Sequence, residues 1–492
     1  MLNEGGYGRK VAGGIGSTAV AQLIRIGSGM GLVIIASRIL PPADYGIYAM
    51  AAPIVGLAMM FQNIGFDHAI VQAKDVSDDQ ISSLFWMNIL MCAVISAILV
   101  IVSPLASLFY RNDAVGPLVA ASSLLILATA PNPLYNALLN RHLRFHAQSL
   151  VDIASSVTGF VVTIVAVFVM RTYWALLIGV LAATIVNVIG FMTAERWRPR
   201  LTFKWRSIAP MVRFGGGVSV FGMATFVTRN IDNVLLARVW GGQTLGYYDR
   251  AYRLMFQPLQ NICAPLSRNL LPVLARTREE PERYRRAYLL FVQGMAALVI
   301  PGIIACSMSA HETVGFLLGE KWHASAPIFS WLSAATPFLL INETVPWLFM
   351  SSGQSRRMMN WGLFASATVV LGFGIGIFWG AVGMAMAYFI GEIARSPLLF
   401  GLAARNMPVK FGDFARLHIV TAGCAAACWI VDGLLPVEIA GLARILSLVA
   451  ISYLAALAAQ LASEPGRELL RIARSVLLDH SAGRLGLRQD RN

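Results

Sequence analysis

Residues 36–51 read ASRILPPADYGIYAMA, and residues 236–251 read LARVWGGQTLGYYDRA. At a constant offset of 200 residues the two stretches align Arg38 with Arg238, Gly46 with Gly246, Tyr48 with Tyr248 and Ala51 with Ala251. Each joins one long apolar run to its successor, and the run that enters each stretch crosses in the same direction. A chain that repeats itself in this way predicts two parallel lobes.

The apolar runs around the repeat are about 20 residues long, the length at which a helix crosses roughly 30 Å of hydrocarbon. Of the 492 residues 57% are hydrophobic and 13% charged, where a soluble domain carries roughly 25% charged residues to solvate its surface. Fourteen spans are expected: 15–39, 45–66, 81–103, 115–138, 150–170, 173–193, 214–237, 245–272, 287–309, 324–350, 360–379, 383–403, 414–434 and 438–462. The predicted fold class is an all-α membrane protein. Residues 1–193 form an N-lobe of spans 1–6, 194–213 a cytoplasmic inter-lobe linker and 214–403 a C-lobe of spans 7–12. Residues 404–462 add spans 13 and 14, and 463–492 form a tail. The stretch after Arg9 and Lys10 outruns a signal peptide and has no small-residue cleavage site, so it reads as a retained first helix.

Loop charge assigns the sides, because Lys and Arg in short loops stay cytoplasmic. With the N-terminus inside, 27 cations fall inside, including Arg196, Arg198, Arg200, Lys204, Arg206, Arg213, Arg276, Arg278, Arg283, Arg285, Arg286 and Arg416. The other side receives five: Arg38, Arg111, Arg171, Arg238 and Lys321. Seven lie in or at the edge of spans, and both termini come out cytoplasmic. A net charge of +14 spread over short loops is not the basic face of a nucleic-acid binder, so no nucleic-acid partner is expected. The five cysteines (Cys92, Cys263, Cys306, Cys424, Cys428) sit in or beside apolar runs and read as packing residues. No metal or cofactor is expected.

The first repeat stretch, continued by NIGFDHAIVQ at 63–72, resembles the opening signature of Wzx-type polysaccharide flippases of the MOP superfamily. NRHLRF at 140–145, RFGGGVSVFGMATFVTRNIDNVLLARVWGGQTLGYYDRA at 213–251 and FLLGEKWHASAPIF at 316–329 resemble that family in the same order. The resemblance implies two six-helix bundles around a central cavity that opens alternately to either face. It implies a lipid-linked oligosaccharide, carried on undecaprenyl diphosphate, as cargo, and a bacterial cytoplasmic (inner) membrane as the location. Membrane lipids, a coupling cation (H+ or Na+) and polysaccharide-assembly proteins are further partners it leaves open.

Charges inside a bilayer cost about 2.5 kcal/mol or far more, so each should face a cavity or a partner. Arg25 and Arg229 lie near the middle of spans 1 and 7, at similar depth once the repeat offset is removed. Two guanidinium groups, which stay charged and bind phosphate oxygens bidentately, suit a diphosphate. The competing reading pairs Arg229 with Asp232 and Arg25 with another acid. Span 8 is the most polar: Arg250 and Arg253 join the candidate diphosphate set, Gln257 and Asn261 line the cavity, and Arg268 belongs near the cytoplasmic mouth. Asp232 is the ion-coupling candidate, while Glu392, three residues before Arg395, reads as an ion pair.

Two rival functions remain. An ion-coupled multidrug exporter of the same superfamily shares the architecture, but its pocket should carry aromatics with carboxylates. A membrane glycan polymerase or ligase needs a sizeable outer loop, and the longest here is about 310–323, so the chain is not expected to be an enzyme.

Overall fold

A computed structural model describes residues 4–62, 77–434, 441–462, 466–468 and 470–471, with side chains from residue 20 onward except 62, 207, 210–225, 228, 262 and 264–269. The NIGFDHAIVQ stretch, Lys74, the tail arginines beyond Arg471, and the side chains of Arg9, Lys10, Arg213 and Arg268 therefore lie outside what is described.

The chain divides into two compact units, Met1–Asp249 and Arg250–Asn492. The first holds α1 (Glu4–Ile39), α2 (Pro42–Gln62), α3 (Asp78–Tyr110), α4 (Val115–Thr129), α5 (Asn132–Arg141), α6 (Phe145–Met170), α7 (Trp174–Ala194) and the first part of α8 (Trp205–Arg276). The second continues α8 and adds α9 (Pro281–Met308), α10 (Ala310–Leu318), α11 (Ser325–Ser351), α12 (Ser355–Gly376), α13 (Gly380–Asn406), α14 (Phe411–Leu434) and α15 (Leu442–Ala462).

Helix α3 shows how the sequence writes a membrane helix. Ser77 caps it: the Gln80 N–H donates to Ser77 Oγ at 3.3 Å while the Ser77 N–H donates to Gln80 Oε1 at 3.0 Å. Asp78 and Asp79 in the first turn complement the helix dipole. Its faces are then distributed opposite to a soluble helix. Ser82, Ser83, Asn88 and Ser96 are buried, whereas Leu90, Val94, Ile98, Ile101 and Leu108 are exposed, Ile101 by 74%. A row of bare aliphatics is stable only against lipid, and the buried hydroxyls and amide must find partners inside. Their donors do so: Ser96 Oγ donates to the Ser123 carbonyl at 3.0 Å, and Asn88 Nδ2 to the Ala130 carbonyl at 2.6 Å. Ala130 stands where α4 gives way to α5 before Pro131 and Pro133, so Asn88 takes up a carbonyl that the helix break frees.

Among the described residues ten helical stretches are long and apolar enough to cross a membrane. One of them, Ser355–Asn406, contains both α12 and α13. The expected span 10 is not among the ten, and the reason is chemical: α11 carries two prolines with Asn342 and Glu343. Helix α8, which covers the expected spans 7 and 8, is described only in part, and its described stretch carries Arg229, Asp232, Asp249, Arg250 and Arg253. Spans 7 and 8 also lack the loop expected between them. Their two helices meet directly at Gly241, where the chain turns sharply enough for Tyr248 to reach back to Asp232 at 3.1 Å; its φ of 83° lies where side chains are strained and glycine is not.

The expected linker is anchored to the first unit. Residues 195–204 run alongside α3: the Arg200 N–H donates to Ser82 Oγ at 3.0 Å, Trp86 Nε1 to the Arg200 carbonyl at 2.8 Å, and the Lys204 N–H to Ser83 Oγ at 3.0 Å. Lys204 Nζ reaches Asp79 at 2.6 Å, and the Trp197 ring packs edge-on to Phe85 and Tyr135.

Candidate functional site

Polar groups inside each unit are few, and they gather. In the first unit Arg25 on α1 donates to Gln22 one turn earlier, and Asp152 on α6 lies within Coulombic reach of its guanidinium. Helix α1 packs against α6, and α6 against α7. From α7, Asn187 Nδ2 donates to Asp152 Oδ1 at 3.3 Å, and Asn132 Nδ2 of α5 donates to Asn187 Oδ1 at 2.8 Å. Gln148 of α6 donates to Asn136 of α5 at 2.7 Å. A chain of side chains thus runs from α1 through α6 and α7 to α5, with one cation and one carboxylate at its head. Asp152, Asn187 and Asn132 are absent from the sequence-derived set. Asp152 stands at the very edge of the expected span 150–170, where a carboxylate reads as a loop residue, and an amide carries no charge to attract notice.

Further along the first unit, Asp232 on α8 is 5% exposed. It accepts hydrogen bonds from Tyr248 Oη at 3.1 Å and from the Asn233 N–H at 2.8 Å, with the buried Asp249 among its electrostatic neighbours. Arg229, one turn earlier on the same helix, is exposed. Beside it, Pro53, Leu57, Leu105, Phe109, Phe226 and Val227 border an apolar cavity of about 380 Å³.

In the second unit Arg250 is buried, and Arg253, Gln257 and Asn261 are half-buried. The expected ion pair of Glu392 and Arg395 forms on α13, both residues 6% exposed. Asn342 Nδ2 of α11 donates to Glu392 Oε2 at 2.7 Å, and Ser396 Oγ to Asn342 Oδ1 at 3.1 Å. Arg395 Nη1 reaches Thr368 Oγ1 of α12 at 3.4 Å. Every member of this cluster is held by another, the condition under which buried charge is tolerated in a membrane.

Residues 310–323, where a catalytic outer loop was weighed, fold as α10 and a short 3₁₀ turn. Glu312 accepts from Arg444 Nη1 of α15 at 2.8 Å, and Arg444 also holds Asp432 of α14 at 2.7 Å. Glu320 pairs with His323. These contacts tie helices together.

Long helices with bare aliphatic exteriors and polar clusters inside define a multi-pass helical membrane protein. Residues 35–327 match the family described as "Polysaccharide biosynthesis protein", and the chain belongs to it. It is similar to the lipopolysaccharide biosynthesis protein WzxC of Escherichia coli (strain K12), 22% identical over 397 residues, which is 80% of this chain and 80% of that one. Its fold is that of the solved lipid II flippase MurJ in an inward closed conformation. The TM-score is 0.74 at 13% identity, over 92% of this chain and 99% of that one. An inward-facing multidrug resistance MATE family transporter of the MOP superfamily is also similar, with a TM-score of 0.61 at 14% identity, over 80% and 99% of the two chains.

Proposed function

We propose that the protein flips an undecaprenyl-diphosphate-linked oligosaccharide from the cytoplasmic to the outer leaflet of a bacterial inner membrane, for O-antigen, capsule or exopolysaccharide synthesis. The observation that carries this reading is the family match across residues 35–327 on a fold shared, at the higher of the two TM-scores, with a lipid flippase. A chain of this kind moves its cargo by alternating access and makes or breaks no covalent bond.

Arg25, Arg229, Arg250 and Arg253 bind the diphosphate in this proposal. Gln257 and Asn261 line the path of the sugars, and Asp232 binds the coupling cation, H+ or Na+. Arg25 carries the argument furthest. An exposed guanidinium that, among the described residues, has Asp152 as its nearby carboxylate can exchange that partner for phosphate oxygens when cargo arrives. Both termini face the cytoplasm, as the loop charges require.

The test is reconstitution: purified protein in proteoliposomes should move a prenyl-diphosphate glycan between leaflets, and no movement above empty liposomes would overturn the reading. The drug-exporter alternative draws on the multidrug transporter likeness. It predicts instead efflux of a fluorescent organic cation from the same liposomes, insensitive to added prenyl diphosphate.

A further inference from the structure

The charge clusters of α9 and α14 serve as topology signals in the sequence, and nothing in the proposed function uses them. In the second unit they meet. Helix α9 packs against both α14 and α15, and their ends enclose a groove of about 930 Å³ whose rim carries Glu282, Arg283, Arg285, Arg286, Asp413, Arg416 and Glu468. That volume is in the range of a site for a whole ligand and far more than a salt bridge requires.

The rim residues divide into two kinds. Arg285 is structural: its Nε and Nη2 grip both oxygens of Asp413 at 2.8 and 2.6 Å, and the Lys410 N–H adds a third bond at 2.8 Å. That clasp fixes α9 to α14. Of the other arginines, Arg283 and Arg416 are loosely held. Arg283 is 69% exposed and reaches Glu280 only at 3.4 Å. Arg416 is exposed and, among the described residues, has the Asp413 carboxylate as a more distant counter-charge. Arg286 is 67% exposed and is taken by Glu468, a carboxylate from the segment beyond α15.

Below the rim the lining turns mostly apolar, through Leu289, Leu290, Leu417, Ile419, Val420 and Ala459, with Gln293 among them donating from Nε2 to Gln460 at 2.6 Å. From Arg286 to Ala296, the last lining residue along α9, the helix rises roughly 15 Å. A cationic rim over an apolar trough of that depth is complementary to an amphiphile with an anionic head. The lining side chains leave one net positive charge, and two once Glu468 is displaced.

We propose that this groove binds an anionic phospholipid of the leaflet that faces the arginine-rich loops. The lipid phosphate displaces Glu468 and pairs with Arg286 and Arg416, and an acyl chain lies in the trough. Glu468 is then a built-in substitute for the phosphate, and lipid occupancy releases the segment that carries it. The inference stands apart from the flipping reading, since it concerns a resident lipid and is read by binding alone.

The experiment titrates the purified full-length protein in detergent with phosphatidylglycerol or phosphatidylcholine and counts retained lipids by native mass spectrometry. Phosphatidylglycerol should be retained roughly tenfold more tightly, because both lipids offer a phosphate but the choline cation of the second opposes the net positive rim. The double replacement Arg286→Gln with Arg416→Gln should remove that preference. Melting temperature checks the fold, with the Arg285 clasp left in place. Glu468→Gln should strengthen retention by up to roughly fivefold, the scale of an exposed ion pair. Equal retention of the two lipids, or an unchanged preference in the double variant, would overturn the site. Unchanged retention by Glu468→Gln would overturn the displacement. Loss of retained lipid on adding inorganic phosphate would show a headgroup seat alone and overturn the trough.

Discussion

Gly46 and Gly246, equivalent positions of the repeat, each press against the other copy's backbone. A Cβ on Gly46 would lie 1.8 Å from the Gly242 carbonyl oxygen, and one on Gly246 would lie 2.0 Å from that of Pro42. Since 242 and 246 are the repeat partners of 42 and 46, the contact is reciprocal, as across a two-fold axis. Neither position tolerates a side chain while the copies touch. Gly46→Ala and Gly246→Ala should each destabilise the protein by about 1–3 kcal/mol, the scale of overpacking. Gly27→Ala is the control, because a Cβ there meets nothing within 4 Å. Melting curves in detergent that rank all three variants alike would contradict the contact.

Replacing Arg25 tests the diphosphate role against its structural rival. Arg25→Ala should lower flipping of a prenyl-diphosphate glycan in proteoliposomes by roughly tenfold or more, with Arg25→Lys recovering part of it, since lysine keeps the charge without the fork. If Arg25 serves chiefly to neutralise Asp152, then Arg25→Ala with Asp152→Asn should flip like the wild type. Rescue by that double variant would assign Arg25 to the scaffold.

The Glu392–Arg395 cluster should behave as a unit. Arg395→Ala leaves a buried carboxylate with Asn342 as its remaining side-chain donor, and a broken buried pair costs about 3–5 kcal/mol. Adding Glu392→Gln should return much of that loss, because the amide removes the stranded charge and can still meet Asn342. Thermal unfolding of the wild type, the single and the double variants measures the coupling. Additive losses would show that the two side chains act separately.

Sidedness is open to a direct chemical test. Glu280→Cys, in the arginine-rich turn before α9, and Lys321→Cys, in the 3₁₀ turn after α10, both sit at exposed positions. The loop-charge partition predicts that a membrane-impermeant maleimide added to intact cells labels position 321 and spares 280. Of the native cysteines, Cys92, Cys424 and Cys428 are buried and Cys263 and Cys306 half-buried, so background is set by the unmodified protein. The reverse pattern would invert the topology.

What could be read in the sequence follows from how far each signal reaches along the chain. Helices such as α3, α6 and α7 fall where apolar length placed them, since a long aliphatic run has no other stable form in lipid. The Glu392–Arg395 pair was legible because its partners share one turn of one helix. Asp152 opposite Arg25 was not, because their meeting depends on α1 packing against α6, and no local pattern records that choice. Likewise the repeat showed that Gly46 and Gly246 are equivalent, but equivalence along a chain does not place two residues in contact. The polar composition of α11 is a further case: Asn342, Glu343 and two prolines keep this helix out of the set that hydropathy alone identifies.

The segment from 195 to 204 is threaded with arginines at 196, 198 and 200 and would be taken for easy prey to trypsin. A protease must draw several residues of extended chain into its cleft, and here Trp197, Arg200, Thr202 and Lys204 are each fastened to the first unit by ring packing or by backbone and side-chain bonds. A cord stitched down at almost every second residue has no slack to give. The same stitching means that inserting residues within it would unpick Ser82 and Ser83 of α3, whereas an ordinary tether between domains would take up the extra length unnoticed.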